Sequence, residues 1–200
     1  MDSIGKNNRG IGIMGPLYGY QWRNFNAEYD EEKAKPKEKG IDQFKNVINM
    51  IMNEPESRRI MMTTFNPCQI DQGVLPPCHS IILQFYVQDG FLDMFCFNRS
   101  QDLFLGTPFN IASSSLLQII IAKITGLTAR KIILSLGDCH IYESHYDVVE
   151  QQFNRIPLSF PKININKELK SMEDIEKLEY NDFDLIDYVS YKTLKADMVS

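Results

Sequence analysis

Residues 81–98 read IILQFYVQ, DG, FLDMFCFN: two apolar runs separated by a two-residue break. β-Branched and aromatic residues dominate both runs, which is typical of β-strands. Asp-Gly is a strong signal for a tight turn, because both residues tolerate the positive φ that the turn requires. The stretch therefore predicts a β-hairpin formed by residues 81–88 and 91–98.

Helical patterns flank this hairpin on both sides. Upstream, Asp42 precedes a pattern that ends near Pro55, and its apolar positions are Ile41, Phe44, Val47, Ile48 and Ile51. Downstream, Pro108 opens a nearly all-apolar segment that stops at Gly126, and we expect it to be the buried core helix. A strand over residues 131–136, a helix to about residue 154, a strand at 162–166 and an acidic tail complete the predicted order.

A cysteine lies at the entrance of the hairpin. Pro76 and Pro77 stiffen the backbone just before Cys78. A thiol on such a segment can act as a nucleophile if a nearby cation favours its thiolate. A buried, unreactive cysteine is the more common alternative, and the spacing alone favours it. His79 does not complete a Cys–His pair, because neighbouring strand residues point to opposite faces.

The composition excludes several classes of protein. With 200 residues and 44% hydrophobic content the chain suits one large domain, and its net charge of −5 argues against a nucleic-acid partner. The longest apolar run, residues 116–124, is too short to span a membrane. The four cysteines form no CxxC pair, so we expect no metal site, no disulfide framework and a reduced, cytoplasmic protein.

Three polar groups recur at the ends of the predicted elements: residues 58–59 (RR), 98–102 (NRSQD) and 137–142 (GDCHIY). Loops at strand ends often carry function, so these groups are candidates for a site. An arginine pair is usually a solvated edge, although two adjacent guanidinium groups can also bind a phosphate. His140 and Tyr142, taken singly, are more often satisfied core groups than ligands of a substrate.

Taken together, these segments resemble thymidylate synthase. Residues 75–79 (LPPCH) resemble the family's nucleophile motif, and residues 99–113 (RSQDLFLGTPFNIAS) resemble its RSxDxxLGxPFNIAS signature. Residues 136–142 (LGDCHIY) are similar to its LGDxHIY motif, and residues 15–23 (GPLYGYQWR) to its GPxYGxQWR motif. Motifs in this order, over residues 2–200, are specific to the family.

The resemblance implies conversion of dUMP to dTMP, with methylenetetrahydrofolate as donor of the one-carbon unit and of hydride. Cys78 would add to carbon 6 of the uracil ring and make carbon 5 nucleophilic enough to attack the folate-borne methylene group. Arg99 would supply the cation that the thiolate needs. Tyr18 would help to remove the proton on carbon 5 through water. Asn110 would pair its amide with the carbonyl and the N–H of the uracil ring.

The resemblance also implies a set of ligands for dUMP. Arg58 and Arg59 would reach the phosphate bound by the partner subunit, so the active unit would be a homodimer. His140 and Tyr142 would hydrogen-bond the deoxyribose hydroxyl. The implied dUMP ligands are Arg58, Arg59, Arg99, Ser100, Asp102, Asn110, His140 and Tyr142.

The implied folate site and fold follow from the same motifs. Asp102 would bind the pterin, Phe109 would pack against the aminobenzoyl ring, and Leu105 and Gly106 would complete the reduced-folate site. The implied fold is α/β, a mixed β-sheet packed with helices, and two subunits would pair through this sheet. No nucleic acid, membrane or metal enters the implied chemistry.

The chain departs from the family's pattern at several positions. Asn98 stands where the family usually has glutamine, and Gln101 and Phe104 each stand for a glycine. These larger side chains would add bulk beside the nucleotide and folate sites. Ser200 stands for a final valine, and Met1 falls inside the family's pattern. We therefore expect residues 1–200 to form one thymidylate synthase domain without the family's N-terminal part, which carries a phosphate-binding arginine, a catalytic glutamate and folate-lining tryptophans.

Three functions remain open at this point. The first is a thymidylate synthase, which the site motifs favour. The second is a dUMP hydroxymethylase, in which water captures the methylene intermediate; Asn110 disfavours a cytosine-specific version. The third is an inactive or split-enzyme fragment that binds nucleotide or dimerises, which the expected lack of an N-terminal part favours.

Overall fold

The structure, a computed structural model, describes residues 13–199. Ser200 therefore lies outside the described residues, as do residues 1–12. The helices are α1 (Gly19–Asn24), α2 (Gln43–Asn53), α3 (Gly106–Thr125), α4 (Tyr146–Phe153) and α5 (Met172–Glu176). The strands are β1 (Tyr29–Asp30), β2 (Lys35–Pro36), β3 (Met61–Thr63), β4 (Ile82–Gln88), β5 (Phe91–Asp102), β6 (Thr128–His140), β7 (Lys162–Ile165) and β8 (Phe183–Ile186). Short 3₁₀ turns occupy Ile70–Gln72, Glu143–His145 and Tyr180–Asp182.

A four-stranded mixed sheet, in the order β3-β4-β5-β6, lies at the centre of the fold. Both β3 and β5 run antiparallel to β4, whereas β6 runs parallel to β5. The predicted hairpin is confirmed: Gln88 pairs with Phe91, and Asp89 and Gly90 form the turn with φ of 52° and 80°. Positive φ at both turn residues matches the right-handed twist of the flanking strands.

The long helix α3 connects the two parallel strands. A parallel pair needs such a crossover, because the chain must return to the end of the sheet at which the first strand began. Gln118, buried in α3, donates at 2.8 Å to the carbonyls of Leu92 in β5 and Lys131 in β6. The helix ends at Gly126 as predicted, with φ of 71°, a conformation that favours glycine.

The hydrophobic core lies between the sheet, α2 and α3. Asp42 begins α2 by accepting the Lys45 N–H at 2.9 Å, and the helix buries Phe44, Val47, Ile48 and Ile51 as the spacing predicts. Burying each such large side chain contributes about 1.5–3 kcal/mol. The sheet, its flanks and α3 complete the core with Ile60, Met62, Leu83, Phe85, Leu92, Met94, Cys96, Ile121 and Ala122.

The predicted loop conformation of two polar groups is wrong. Strand β5 continues to Asp102 and β6 continues to His140, so residues 98–102 and 137–140 belong to the parallel pair. Their polar side chains have low strand propensity, which places the predicted strand ends too early. Pairing of the backbone N–H and carbonyl groups between the two strands outweighs that preference.

Helix α3 is less buried than its apolar composition predicts. It begins at Gly106 and buries only Ser114, Gln118, Ile121 and Ala122, while Phe109 and Ile111 are exposed. The reason is geometric: a helix lying on one face of a sheet turns only one side toward it. Ile41 differs from its prediction as well, because it precedes α2 and is 56% exposed.

The last part of the chain is more ordered than the predicted acidic tail. Strand β7, at the predicted position, pairs antiparallel with β8. Between them, the Ser171 hydroxyl accepts the Asp174 N–H at 3.3 Å, and the Asp174 carboxylate accepts the Ser171 N–H at 2.9 Å. This reciprocal capping box starts α5 and accounts for the helix within an otherwise polar segment.

Close approach of β5 and β6 depends on Gly137. A Cβ atom at this position would lie 2.5 Å from the Arg99 carbonyl oxygen and 3.1 Å from its carbonyl carbon. Both atoms belong to the backbone of a paired strand, so they cannot move aside as a flexible side chain would. The parallel ladder therefore requires glycine here.

We expect Gly137→Ala to lower the free energy of unfolding by about 1–3 kcal/mol, because the added methyl group overpacks against the β5 backbone. Urea denaturation measures this change. Gly19→Ala is the matched control: its Cβ meets no atom within 4 Å, so its stability should stay within about 0.5 kcal/mol of wild type. Equal stability of Gly137→Ala and wild type would contradict the close approach.

Candidate functional site

Cys78 is held against the end of β5. Its carbonyl oxygen accepts the backbone N–H groups of Arg99 at 2.9 Å and Ser100 at 3.3 Å. The side chain is half-buried and forms no disulfide. Because β5 lies inside the sheet between β4 and β6, these two bonds fix the cysteine to a part of the fold that opens rarely.

Tyr18 faces the thiol. Its hydroxyl lies 3.7 Å from Cys78 Sγ and accepts the Cys78 backbone N–H at 3.3 Å, while its ring stacks on His79 with centroids 4.5 Å apart. The φ of Tyr18 is 43°, which a bulky residue adopts only where its surroundings hold it. Burial, and then the nearby Cys78, raises the pKa of the phenol, so the hydroxyl stays protonated and can donate to the Cys78 sulfur.

Arg99 lies along the segment that carries Cys78. Its Nε donates to the Pro77 carbonyl at 2.7 Å and its Nη2 to the Pro76 carbonyl at 3.1 Å. The two prolines therefore stiffen the backbone and also present the carbonyls that hold the guanidinium group. Within residues 13–199 no carboxylate forms an ion pair with Arg99, so its positive charge is not neutralised by this part of the chain.

The parallel pairing of β5 and β6 brings two of the predicted polar groups together. Ser100 pairs with Asp138, and Asp102 pairs with His140. His140 Nδ1 lies 3.1 Å from Asp138 Oδ1, and the rings of His140 and Tyr142 are 4.9 Å apart. The carboxyl ends of parallel strands in α/β sheets commonly form a binding crevice. These side chains therefore lie together at the end of the sheet at which α3 begins.

Three side-chain amides form a hydrogen-bonded series that we call the amide relay: Asn98, Gln101 and Asn110. Ser80 N–H donates to Asn98 Oδ1 at 2.7 Å, and Asn98 Nδ2 donates to Gln101 Oε1 at 2.7 Å. Gln101 Nε2 then donates to Asn110 Oδ1 at 2.9 Å. Asn98 and Gln101 are buried and Asn110 is half-buried. The relay thus leads from the interior of the sheet to the second turn of α3.

Asp102 shapes the start of α3. Its Oδ1 accepts the backbone N–H of Leu105 at 3.3 Å. Gly106 lies against the relay, since a Cβ there would be 3.3 Å from Gln101 Nε2. Phe109, one turn along the helix, is 77% exposed. The helix start therefore combines a carboxylate, a position without a side chain and an exposed aromatic ring, which together can contact a flat, polar-edged ligand.

Arg58 and Arg59 line a surface depression that is formed by residues 53–59 and includes neither Cys78 nor Tyr18 nor Arg99. Both arginines are exposed on the turn after α2. Arg59 Nη2 lies 3.3 Å from Glu54 Oε2. At the surface such a pair is worth little, so both guanidinium groups can turn toward another binding partner.

Two features of this region were not found by sequence reasoning. The first is the amide relay, whose only signal was the departure from the family's residues at positions 98 and 101. The second is a contact in which His145 Nε2 donates to the Asp197 carbonyl at 2.8 Å, with the Phe104 and His145 rings 5.8 Å apart. His145 and Asp197 are 52 positions apart, so no local pattern could indicate their contact.

The structure also bears on metals and membranes. Among residues 13–199 no group of His, Cys, Asp and Glu side chains is arranged to hold a metal ion. In the same part of the chain no helix has the length and apolar character needed to cross a bilayer. All four cysteines are free thiols.

Comparison with known proteins identifies similar sequences. A family model described as thymidylate synthase matches residues 4–200. The bifunctional dihydrofolate reductase-thymidylate synthase of Plasmodium chabaudi is 43% identical over 192 residues, covering 96% of this chain and 32% of the relative. The thymidylate synthase of human herpesvirus 8 is 41% identical, covering 97% of this chain and 56% of the relative.

A third relative, the thymidylate synthase of varicella-zoster virus strain Dumas, is 42% identical and covers 97% of this chain. The chain spans 63% of this relative's length. It therefore matches less than two thirds of each of the three relatives.

Burial lowers the pKa of His79 below its ordinary value of 6.5. The unfolded chain consequently binds this proton more tightly than the folded one, so the His79 contribution lowers stability as the pH falls below about 6.5 and levels off below the folded pKa. We expect the difference in unfolding free energy between wild type and His79→Asn to be constant above that range and to shrink below it. Urea denaturation over a pH series measures the difference; a difference that does not depend on pH would contradict the burial of a neutral imidazole.

Proposed function

The chain belongs to the thymidylate synthase family, and on that premise we propose that it acts in the conversion of dUMP to dTMP with methylenetetrahydrofolate as co-substrate. The observation that carries the proposal is the attachment of Cys78 to Arg99 and Ser100 through its carbonyl. This attachment joins the nucleophile motif to the family's signature segment. The names of the relatives favour a synthase over a hydroxymethylase or an inactive fragment.

Cys78 is the proposed nucleophile. Its thiolate adds to carbon 6 of uracil, and the electrons of the 5,6 double bond move toward carbon 5 and the carbonyl at carbon 4. Carbon 5 then attacks the folate-borne methylene group and loses its proton. Elimination of tetrahydrofolate leaves an exocyclic methylene on a ring that is still bound to Cys78 at carbon 6. Hydride from the tetrahydrofolate adds to this methylene, the 5,6 double bond re-forms and the thiolate is expelled, yielding dTMP and dihydrofolate. Dividing one substitution into such steps is covalent catalysis.

Arg99 and Tyr18 serve the thiol in this proposal. The guanidinium group, held by the Pro76 and Pro77 carbonyls, places positive charge on the segment that bears Cys78, which favours the thiolate. Tyr18, 3.7 Å from the sulfur, donates to the thiolate and later helps water to take the proton from carbon 5. The raised pKa of its phenol suits a donor and keeps it from ionising beside the sulfur.

The nucleotide is bound at the end of the sheet where the carboxyl ends of β5 and β6 lie side by side. Arg99 and Ser100 bind the phosphate, since a guanidinium group and a hydroxyl complement its oxygens. His140 and Tyr142, with rings 4.9 Å apart, hydrogen-bond the deoxyribose hydroxyl. The Asn110 amide then reads the uracil edge, because it offers a donor and an acceptor side by side.

The reduced folate lies at the start of α3. Asp102, placed between the nucleotide and this helix, accepts from the pterin and contacts both ligands. Leu105 and Gly106 shape the neighbouring wall, and the exposed Phe109 ring packs on the aminobenzoyl group. The methylene donor thus approaches the carbon 5 face of the nucleotide held by Cys78.

The active unit in this proposal is a homodimer. Arg58 and Arg59 are exposed on a turn whose surface depression is lined by residues 53–59 and does not include Cys78, Tyr18 or Arg99. Two adjacent guanidinium groups suit a phosphate dianion, so they would complete the phosphate site of the partner subunit.

We expect Cys78→Ser to abolish turnover and to leave dUMP binding measurable, because serine keeps the shape of the site but has no accessible anionic form. A fluorinated dUMP, whose adduct stalls at carbon 5, should label wild type on Cys78 alone, as read by peptide mass spectrometry. Cys68→Ser, at an exposed thiol, is the control and should label normally. Labelling of a different cysteine would disprove the assignment.

We expect Asn110→Asp to weaken discrimination against dCMP by orders of magnitude, because the new carboxylate accepts from the cytosine amino group and repels the uracil carbonyl. Side-by-side binding of dUMP and dCMP measures the preference. Asn49→Asp adds the same charge on the exposed side of α2 and should leave it unchanged. An unaltered preference in Asn110→Asp would show that this residue does not read the base.

A further inference from the structure

The amide relay fixes the orientation of its three side-chain amides, which no single member could fix alone. Each side-chain amide has one accepting oxygen and one donating nitrogen, so an isolated amide can rotate to present either end. A backbone N–H, in contrast, can only donate. The relay begins at such a group: Ser80 N–H donates to Asn98 at 2.7 Å.

This fixed donor determines the orientation of all three amides. Asn98 must present Oδ1 to Ser80, which turns its Nδ2 toward Gln101, 2.7 Å away. Gln101 must then present Oε1 to Asn98 and turn Nε2 toward Asn110, 2.9 Å away. Asn110 consequently directs Oδ1 toward Gln101, and its Nδ2 is free of the relay.

Gln101 is held in this orientation by two further features. Its Nε2 also lies 3.3 Å from the Asp102 carbonyl oxygen, which accepts and would repel Oε1 if the amide rotated. Gly106 leaves room for the same nitrogen, because a Cβ there would lie only 3.3 Å from it. With 2% of its surface exposed, Gln101 cannot replace these partners by water.

We propose that Gln101 is a positioning residue that fixes the polarity of the Asn110 amide and thereby sets the choice of uracil over cytosine. The inference rests on the proposed function, in which Asn110 reads the base. It assigns a role to a side chain that stands where the family usually has glycine, and that has no counterpart in the implied ligand set.

The chemistry of the two bases explains the consequence. Uracil presents a carbonyl at carbon 4 and a donating N–H at position 3, whereas cytosine presents a donating amino group and an accepting nitrogen. Asn110 Nδ2 satisfies the uracil carbonyl, and the second lone pair of Oδ1 accepts the uracil N–H. Rotation of this amide would exchange the two ends and present the cytosine pattern instead.

Gln101→Glu tests the proposal because it replaces the side-chain amide with a carboxyl group of the same shape. A protonated carboxyl donates to Asn110 Oδ1 as Gln101 does, but an ionised carboxylate only accepts and would rotate the Asn110 amide. Burial raises the pKa of a carboxyl, up to about 8–9 for fully buried groups, so ionisation falls in an accessible range. Gln101→Met is the matched variant of similar length that neither donates nor accepts strongly.

The measurement is the ratio of dCMP to dUMP dissociation constants for the whole chain, taken by calorimetry between about pH 6 and 9, the range in which a buried carboxyl would ionise. Both nucleotides carry the same phosphate and sugar, so changes elsewhere in the site cancel in the ratio. We expect a constant ratio for wild type and one at least about tenfold smaller for Gln101→Met, as suits the loss of a buried hydrogen-bond partner. For Gln101→Glu the ratio should fall as the pH rises.

Two results would overturn the proposal in distinguishable ways. A wild type that binds dUMP, with folded Gln101→Met and Gln101→Glu variants that keep its ratio at every pH, would refute the role of Gln101 alone. A wild type that binds neither nucleotide would refute the proposed function and this inference with it. Circular dichroism of each variant establishes that it is folded.

Discussion

The parallel pairing of β5 with β6 is the constraint on which the site depends. It requires a crossover, which α3 supplies, and a backbone approach close enough that position 137 has no room for a Cβ. The same pairing aligns Ser100 with Asp138 and Asp102 with His140. Cys78 then attaches to this pair through the N–H groups of Arg99 and Ser100. Without the pairing of β5 with β6, the segments 75–79, 99–113 and 136–142 would not lie together at one end of the sheet.

Much of this framework could be predicted because it is encoded locally. The Asp89-Gly90 turn sets the hairpin, since only a few residue pairs tolerate positive φ at both positions. Asp42 and Gly126 mark helix ends through hydrogen bonding and left-handed backbone, and the structure places both as expected. The motifs supplied the candidate site residues. What local patterns could not supply was the length of β5 and β6, because partner strands rather than propensity decide where a ladder ends.

The amide relay could not be predicted from the sequence, for a different physical reason. Residues 98 and 101 are three positions apart in one strand, and strict alternation would place their side chains on opposite faces. Both are nevertheless buried: the alternation of buried and less buried residues in β5 changes phase after Asn98. A pattern of period two cannot reveal such a change. The departures from the family's glutamine and glycine suggested added bulk, whereas the structure uses that bulk to connect Asn98 with Asn110.

The energetics of burial explain why the two departures belong together. A buried amide group left without a partner costs about 1–3 kcal/mol, and the hydrogen bond from Asn98 Nδ2 to Gln101 Oε1 avoids this cost for both groups. Asn98 is one methylene shorter than glutamine, and Gln101 adds the reach that a glycine lacks. Together they close a series that starts at the Ser80 N–H and leaves both buried side chains hydrogen-bonded at each end. The site thereby gains a rigid support for Asn110, because each amide restricts the rotation of the next.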